Sequence, residues 1–213
     1  MLLIGSIKKV GSILRKRLSI KLKALVRRLA FKFYKMQIKI LGTRGEIRST
    51  HPKHLLHSGI LIDKKILLDV GEMTFLKYKP LCIFITHLHP DHAIFMSPGN
   101  VINPGVPVFA PERSERLKTM HMVTGAAEFE GYKITSIPVI HSIKVKSMGY
   151  LIEKRNKRIF YTGDIISIKK KYLKRLTKLD LVITEASFFR KGGLIRKNKQ
   201  GEIFGHAGVQ DLC

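Results

Sequence analysis

Cysteine is scarce: the 213-residue chain has two. Cys82 lies inside an apolar run, and Cys213 is the last residue. This excludes a disulfide framework and points to a reducing, cytoplasmic compartment. Acidic residues are few as well, 15 Asp and Glu against 40 Lys and Arg, which gives a formal net charge of +25. No uninterrupted apolar run approaches the length needed to cross a bilayer. Charges interrupt every apolar stretch near the start, which argues against a secretory signal. No repeat or low-complexity linker divides the chain. With 45% hydrophobic residues, 213 residues support one substantial core.

The basic excess has a focus. Residues 1–35 hold 11 of the basic residues and none of the acidic ones. Leu14, Leu18, Leu22, Leu25, Leu29 and Phe33 recur at three- and four-residue steps, which is helical spacing. The pattern predicts a basic amphipathic N-terminal extension over residues 1–35, suited to contact with nucleic acid or an anionic membrane. The same composition fits an organelle transit peptide, a helix packed on the domain, or an upstream extension of the reading frame. The remainder is also basic. Such a field favours polyanions, with a merely solvated lysine-rich surface as the plain alternative.

From Met36 onward the pattern is one of short strands. Met36 to Leu41 alternates and is broken by Gly42-Thr43-Arg44-Gly45. Ser58 to Asp63 and Ile66 to Val70 read as a hairpin, and Leu81 to Thr86 as a buried strand. Pro107 to Ala110 is a strand, Glu112 to Met122 reads as a helix, and Ile134 to Ile140 is a strand ending in His141. Met148 to Glu153 and Arg158 to Thr162 form another hairpin. A basic helix over Lys169 to Leu179 precedes a strand over Leu181 to Thr184. Apolar strands repeatedly end in a ligand-type residue: Asp69, His87, His141, Asp164 and Glu185. That regularity puts these residues along one edge of a sheet core.

The densest cluster is Thr86-His87-Leu88-His89-Pro90-Asp91-His92. Imidazole and carboxylate suit divalent metals. His87 and His89, two apart, can face one ion, while Asp91 and His92 diverge towards a second. His141 would complete the first set. Asp164, after a glycine that permits a sharp turn, is the candidate bridge between the ions. Each residue alone reads as structural; together, in this order, they read as a metal site.

Asp69, the H-x-H-x-D-H run, His141 and Asp164 closely resemble the signature of the metallo-β-lactamase superfamily. The resemblance covers residues 36–213. It implies a metal-dependent hydrolase domain of α+β class with a four-layer αββα sandwich. Gly42-Thr43-Arg44-Gly45, Tyr161-Thr162-Gly163-Asp164, and Thr184-Glu185-Ala186-Ser187 with Gly205-His206-Ala207-Gly208 resemble the phosphodiesterase and tRNase Z branch. That match makes His206 a catalytic candidate near the scissile phosphate, outside the metal ligands. The family supplies one more metal-binding histidine beyond that point, whereas this chain stops seven residues past His206. The expectation is a sandwich lacking its last strand and helix, with the final ligand missing or replaced by His206. Only 22 residues separate His141 from Asp164, which leaves no room for the long RNA-gripping arm of the tRNA-processing enzymes.

The resemblance implies two divalent ions, zinc first with manganese or iron as alternatives, at His87, His89, Asp91, His92, His141 and Asp164. A hydroxide nucleophile, oriented by Asp91 and Asp164, would attack while His206 assists the leaving group. A phosphodiester, in nucleic acid or a small molecule, is the leading substrate class. A small ester, thioester or lactone comes second. A non-catalytic, basic polyanion- or membrane-binding protein with a degenerate metal site is the third reading.

Overall fold

The computed structural model describes residues 36–46 and 51–212. The predicted helix over residues 1–35 lies outside them. Strands β1 (Ile38–Gly42), β2 (Gly59–Ile62), β3 (Ile66–Leu68), β4 (Cys82–Phe84), β5 (Val108–Ala110) and β6 (Met120–Met122) form one sheet in that order. The first three pair antiparallel and the last four pair parallel. Every residue of β3 and β4 is buried. Central parallel strands are covered on both faces, and for that reason these segments are apolar throughout instead of alternating.

The second sheet holds β7 (Ala126–Phe129), β8 (Tyr132–Ile140), β9 (Met148–Lys154), β10 (Lys157–Tyr161), β11 (Ser167–Ile168) and β12 (Leu181–Ile183). Its order is β11-β8-β9-β10-β12, with β7 also on β8. A separate two-stranded ribbon joins β13 (Leu194–Lys197) to β14 (Ile203–His206). Helices are few among the described residues. Only α1 (Lys170–Leu173) and α2 (Val209–Leu212) are α-helical, and the longest helical segment is a 3-10 stretch over Met73–Tyr78. No described helix is long and apolar enough to cross a membrane. The architecture is α+β, with the helical layers of the expected sandwich reduced to short turns.

Aromatic packing and hydrogen bonds join the sheets. Phe84 on β4 stacks on Phe109 at 4.7 Å between ring centroids and meets Tyr150 of β9 edge-on at 5.3 Å. The Tyr150 hydroxyl donates to the Ile85 carbonyl at 2.6 Å, and the Met148 N–H donates to that of Thr86 at 2.9 Å. One core packs Phe75 and Phe95 against Leu67 and Ile83, and another gathers Ile137, Leu151 and Phe160 under Tyr172 and Leu176.

Two expectations need correction. Glu112 to Met122 is not helical: it runs through turns and ends in β6. Leu117, Met120 and Val123 are buried at three-residue intervals, so turn residues facing the core imitate a helical stripe. The basic helix over Lys169 to Leu179 is shorter than its pattern suggests. It comprises α1 and a 3-10 turn over Lys174–Leu176, and Thr177 is already extended.

Strand direction sets the edge that matters. β3 and β4 are parallel, so Asp69 and His87 emerge at the same end. β9 is antiparallel to both β8 and β10, so those two run together, and β12 is parallel to β10. His141, Asp164 and Glu185 therefore leave the second sheet at one end as well.

Candidate metal centre

His87, His89 and His141 offer ligand atoms within 4.8 Å of one another; so do His87, His92 and Asp164. A third group joins His141 and Asp164 to His206. His87 lies in the middle, its ring centroid 4.2 Å from that of His92, 4.6 Å from His89 and 4.8 Å from His141. The carboxylate of Asp164 spans the groups. Its Oδ1 is 3.2 Å from His92 Nε2, and its Oδ2 is 3.7 Å from His141 Nε2 and 3.9 Å from His87 Nε2. Asp91 stands at the side, with Oδ2 3.6 Å from His92 Nε2.

The backbone explains how Asp164 reaches this position. Gly163 has φ +59°, and a Cβ there would lie 2.7 Å from the Thr86 side chain. Only glycine lets β10 turn so tightly against the end of β4.

Two imidazoles are locked from behind. His92 Nδ1 meets Asp69 Oδ2 at 2.7 Å, and His141 Nδ1 meets the Gly205 carbonyl at 2.8 Å. Each ring then carries a proton on Nδ1 and turns Nε2 towards the cluster, the atom that would meet a metal. Asp69, fully buried with φ +59°, also accepts from the Thr86 N–H, the Thr86 hydroxyl and the Tyr161 hydroxyl. Aspartate tolerates the left-handed region better than most residues, and such strain is common at functional sites.

The charge pattern follows. Burial holds His87 well below the ordinary histidine range and lowers His141. It also brings His89 down to about 4. Neutral imidazole is the metal-binding form. His92 goes the other way: burial opposes its charge, but the Asp164 and Asp69 carboxylates outweigh burial and hold it well above its usual value. Burial likewise opposes a charge on Asp164, yet His92 and His87 hold it well below the carboxylate range. Burial raises Asp91. In His206 the hydrogen bond to Glu185, at 2.7 Å from Nδ1, raises the pKa.

The donor set fits divalent metal. The buried Nε2 of His87 has no hydrogen-bond partner, although four other ligand-type side chains surround it. An orphaned buried nitrogen in such a position is costly unless something coordinates it.

The structure thus brings together His87, His89, His92, His141 and Asp164, with Asp91 beside His92 and His206 beside His141. Three further residues support the site in roles that their place in the sequence does not assign. Tyr161 and Thr86 support Asp69, and Ser58 Oγ lies 3.3 Å from His92 Nε2. The Tyr161 contact spans 92 residues, so only the fold reveals it.

The sequence matches the family described as "Beta-lactamase superfamily domain" over residues 78–211, well over half of the chain. The chain belongs to the beta-lactamase superfamily. Solved structures of that fold resemble it over 72% to 81% of its length. YhfI from Bacillus subtilis, a metallo-beta-lactamase fold protein, is 18% identical with a TM-score of 0.56, covering 72% of each chain. A diphosphatase of the PhnP family is 22% identical with a TM-score of 0.55, covering 73% of this chain and 76% of its own. The short form of human tRNase Z is 18% identical with a TM-score of 0.55, covering 81% of this chain and 85% of its own. No curated protein sequence matches the chain. At these identities the structural likeness speaks for the fold. The superfamily is one of generally hydrolytic, metal-dependent proteins, and the cluster supplies the ligands such chemistry needs.

Proposed function

We propose that the protein is a phosphodiester hydrolase that uses two divalent ions, zinc in the first place, with manganese or iron able to replace it. The observation that carries this reading is the placement of His206. It is a fourth-side imidazole, held by Glu185, 3.7 Å from Asp164 and outside the trio of His87, His89 and His141. A metal site that cleaves a phosphodiester needs a proton for the departing oxygen, and a histidine with a raised pKa beside the ligands can supply it. A PhnP-family diphosphatase and tRNase Z are among the structural relatives, and the sequence around Glu185 and His206 resembles the motifs of their branch.

In this reading His87, His89 and His141 would hold one ion, while His92, Asp91 and Asp164 would hold the other with Asp164 between them. Bound divalent metal supplies Lewis acidity towards a phosphoryl oxygen and a water acidic enough to ionise near neutral pH. The chain's own residues do the rest. Asp69 and the Gly205 carbonyl orient the rings of His92 and His141. Burial keeps His87 and His89 deprotonated. Glu185 keeps the His206 proton in place, accepting at Nδ1, so that Nε2 donates to the leaving group. Ser187 and the Ile165 N–H in turn hold Glu185.

Turnover of bis(p-nitrophenyl) phosphate by the zinc-loaded full chain, set beside p-nitrophenyl acetate, tests the proposal. The expected result is diester hydrolysis that falls about 100-fold in His206→Ala with metal content retained. Hydrolysis of the acetate alone, or no turnover by loaded protein, would overturn it.

A further inference from the structure

One element beside the metal centre carries a run of basic residues unbroken by any acid. From residue 190 to 199 the chain carries Arg190, Lys191, Arg196, Lys197 and Lys199 and no acidic residue. Lys191, Arg196, Lys197 and Lys199 are exposed, and none pairs with a carboxylate among the described residues. Just before them, Phe189 is 79% exposed. A bare aromatic ring in a basic stretch contributes nothing to the core. Phe188 turns inward instead, 6.1 Å from the His206 ring, with the Arg190 guanidinium 5.9 Å from its centroid.

The ribbon of β13 and β14 ties this charge to the site. Leu194 is opposite His206 and Arg196 opposite Phe204. Cross-strand partners share a face, and so do alternate residues of one strand. Arg196 therefore lies on the face that bears His206, about 7 Å further along the ribbon. The ribbon is fastened at Gly205, whose N–H donates to the His141 carbonyl at 2.7 Å while its own carbonyl accepts from His141 Nδ1. Gly205 has φ +124°, and a Cβ would lie 2.0 Å from the Leu194 carbonyl oxygen, so no other residue fits there. A surface that grips a substrate on this ribbon is thus held in register with the metal centre.

We propose that the β13–β14 ribbon, with Phe189 at its base, is a binding site for single-stranded nucleic acid. The proposal rests on the phosphodiesterase reading for its catalytic meaning and names the substrate class of that site. Unpaired lysines and arginines suit a phosphate backbone, and an exposed ring beside them suits stacking of an unpaired base. A duplex offers no free base face to Phe189.

The test is fluorescence anisotropy of a labelled single-stranded RNA of about twelve nucleotides with the full chain, in chelator, over a range of salt. Arg196→Gln/Lys197→Gln/Lys199→Gln should weaken binding and reduce the salt slope by about 2, since each single-strand phosphate contact contributes about 0.7. Phe189→Ala should weaken single-stranded binding about tenfold with little effect on duplex RNA, and Phe189→Tyr should restore it. All four positions are exposed, so equal melting temperatures verify the fold. Unchanged affinity and slope in the triple variant would overturn the proposal. So would a Phe189→Ala loss equal on single strand and duplex, which marks a general polyanion surface. Diester turnover by the parent is scored separately. Binding that depends on the ribbon without turnover sinks the phosphodiesterase reading alone, and turnover with ribbon-independent binding sinks this proposal alone.

Discussion

Replacing Asp69 with asparagine keeps the shape of a fully buried side chain while turning one acceptor oxygen into a donor. Asp69 accepts from the Thr86 N–H at 2.7 Å, the Thr86 hydroxyl at 2.9 Å, His92 Nδ1 at 2.7 Å and the Tyr161 hydroxyl at 2.8 Å. The new NH2 has two places to go. Facing Thr86, it sets two N–H groups against each other in a buried position, at a cost of about 1–3 kcal/mol. Facing His92, it makes Nδ1 an acceptor and moves the proton to Nε2, which covers the lone pair pointing at Asp164. Metal affinity should fall about 10- to 100-fold, the usual effect of losing a partner behind a ligand. In chelator the melting temperature should fall by about 2–12 °C. Asparagine accepts positive φ as readily as aspartate, so backbone strain does not confound the result. Zinc competition against a chelating dye reads the first quantity and thermal unfolding in chelator the second. An Asp69→Asn protein that binds zinc as tightly as the parent would refute the assignment of Asp69 as the residue that orients His92, even if its stability fell.

Three more outcomes are expected. Gly163→Ala forces a Cβ to 2.7 Å from Thr86 at a positive φ, so it should cost about 1–3 kcal/mol in urea unfolding and lower metal occupancy. His89, held at about 4 against an ordinary 6.5, refuses a proton that the unfolded chain accepts. Stability of the chelated protein therefore declines as pH falls from 6.5 towards 4. Asp91, raised by burial, works in the opposite sense, so the readout is the difference in urea midpoint between the parent and His89→Gln, which should show a flatter decline. Glu185→Gln removes the main cause of the raised His206 pKa, so the alkaline limb of the pH–rate profile should move to lower pH.

The parts of this protein visible in its sequence are those governed by local rules. β4 is legible because a strand covered on both faces must be apolar throughout, and the ligand run follows where such a strand ends. The turn to Asp164 is legible because glycine precedes it. β6 was hidden because Leu117, Met120 and Val123 repeat every three residues, a spacing that turns and helices share. The β13–β14 ribbon was hidden behind its lysines, although Asn198 and Gly201 bracket its turn and Asn198 bonds across it to Glu202. The placement of His206 beside His141 depends on that ribbon. The support behind the ligands was the least legible part. Tyr161 and Ser58 reach the site through sheet packing, and the Gly205 carbonyl has no side-chain signature at all.

Metal content per chain is the direct test of the buried His and Asp cluster as a metal centre. Protein purified without chelator, saturated with zinc and dialysed, should retain close to two ions per chain. His87 stands in the trio that would hold the first ion, so His87→Ala should lose most of that ion, about one of the two. A parent chain that retains no metal, or a His87→Ala chain that retains as much as the parent, would contradict the account.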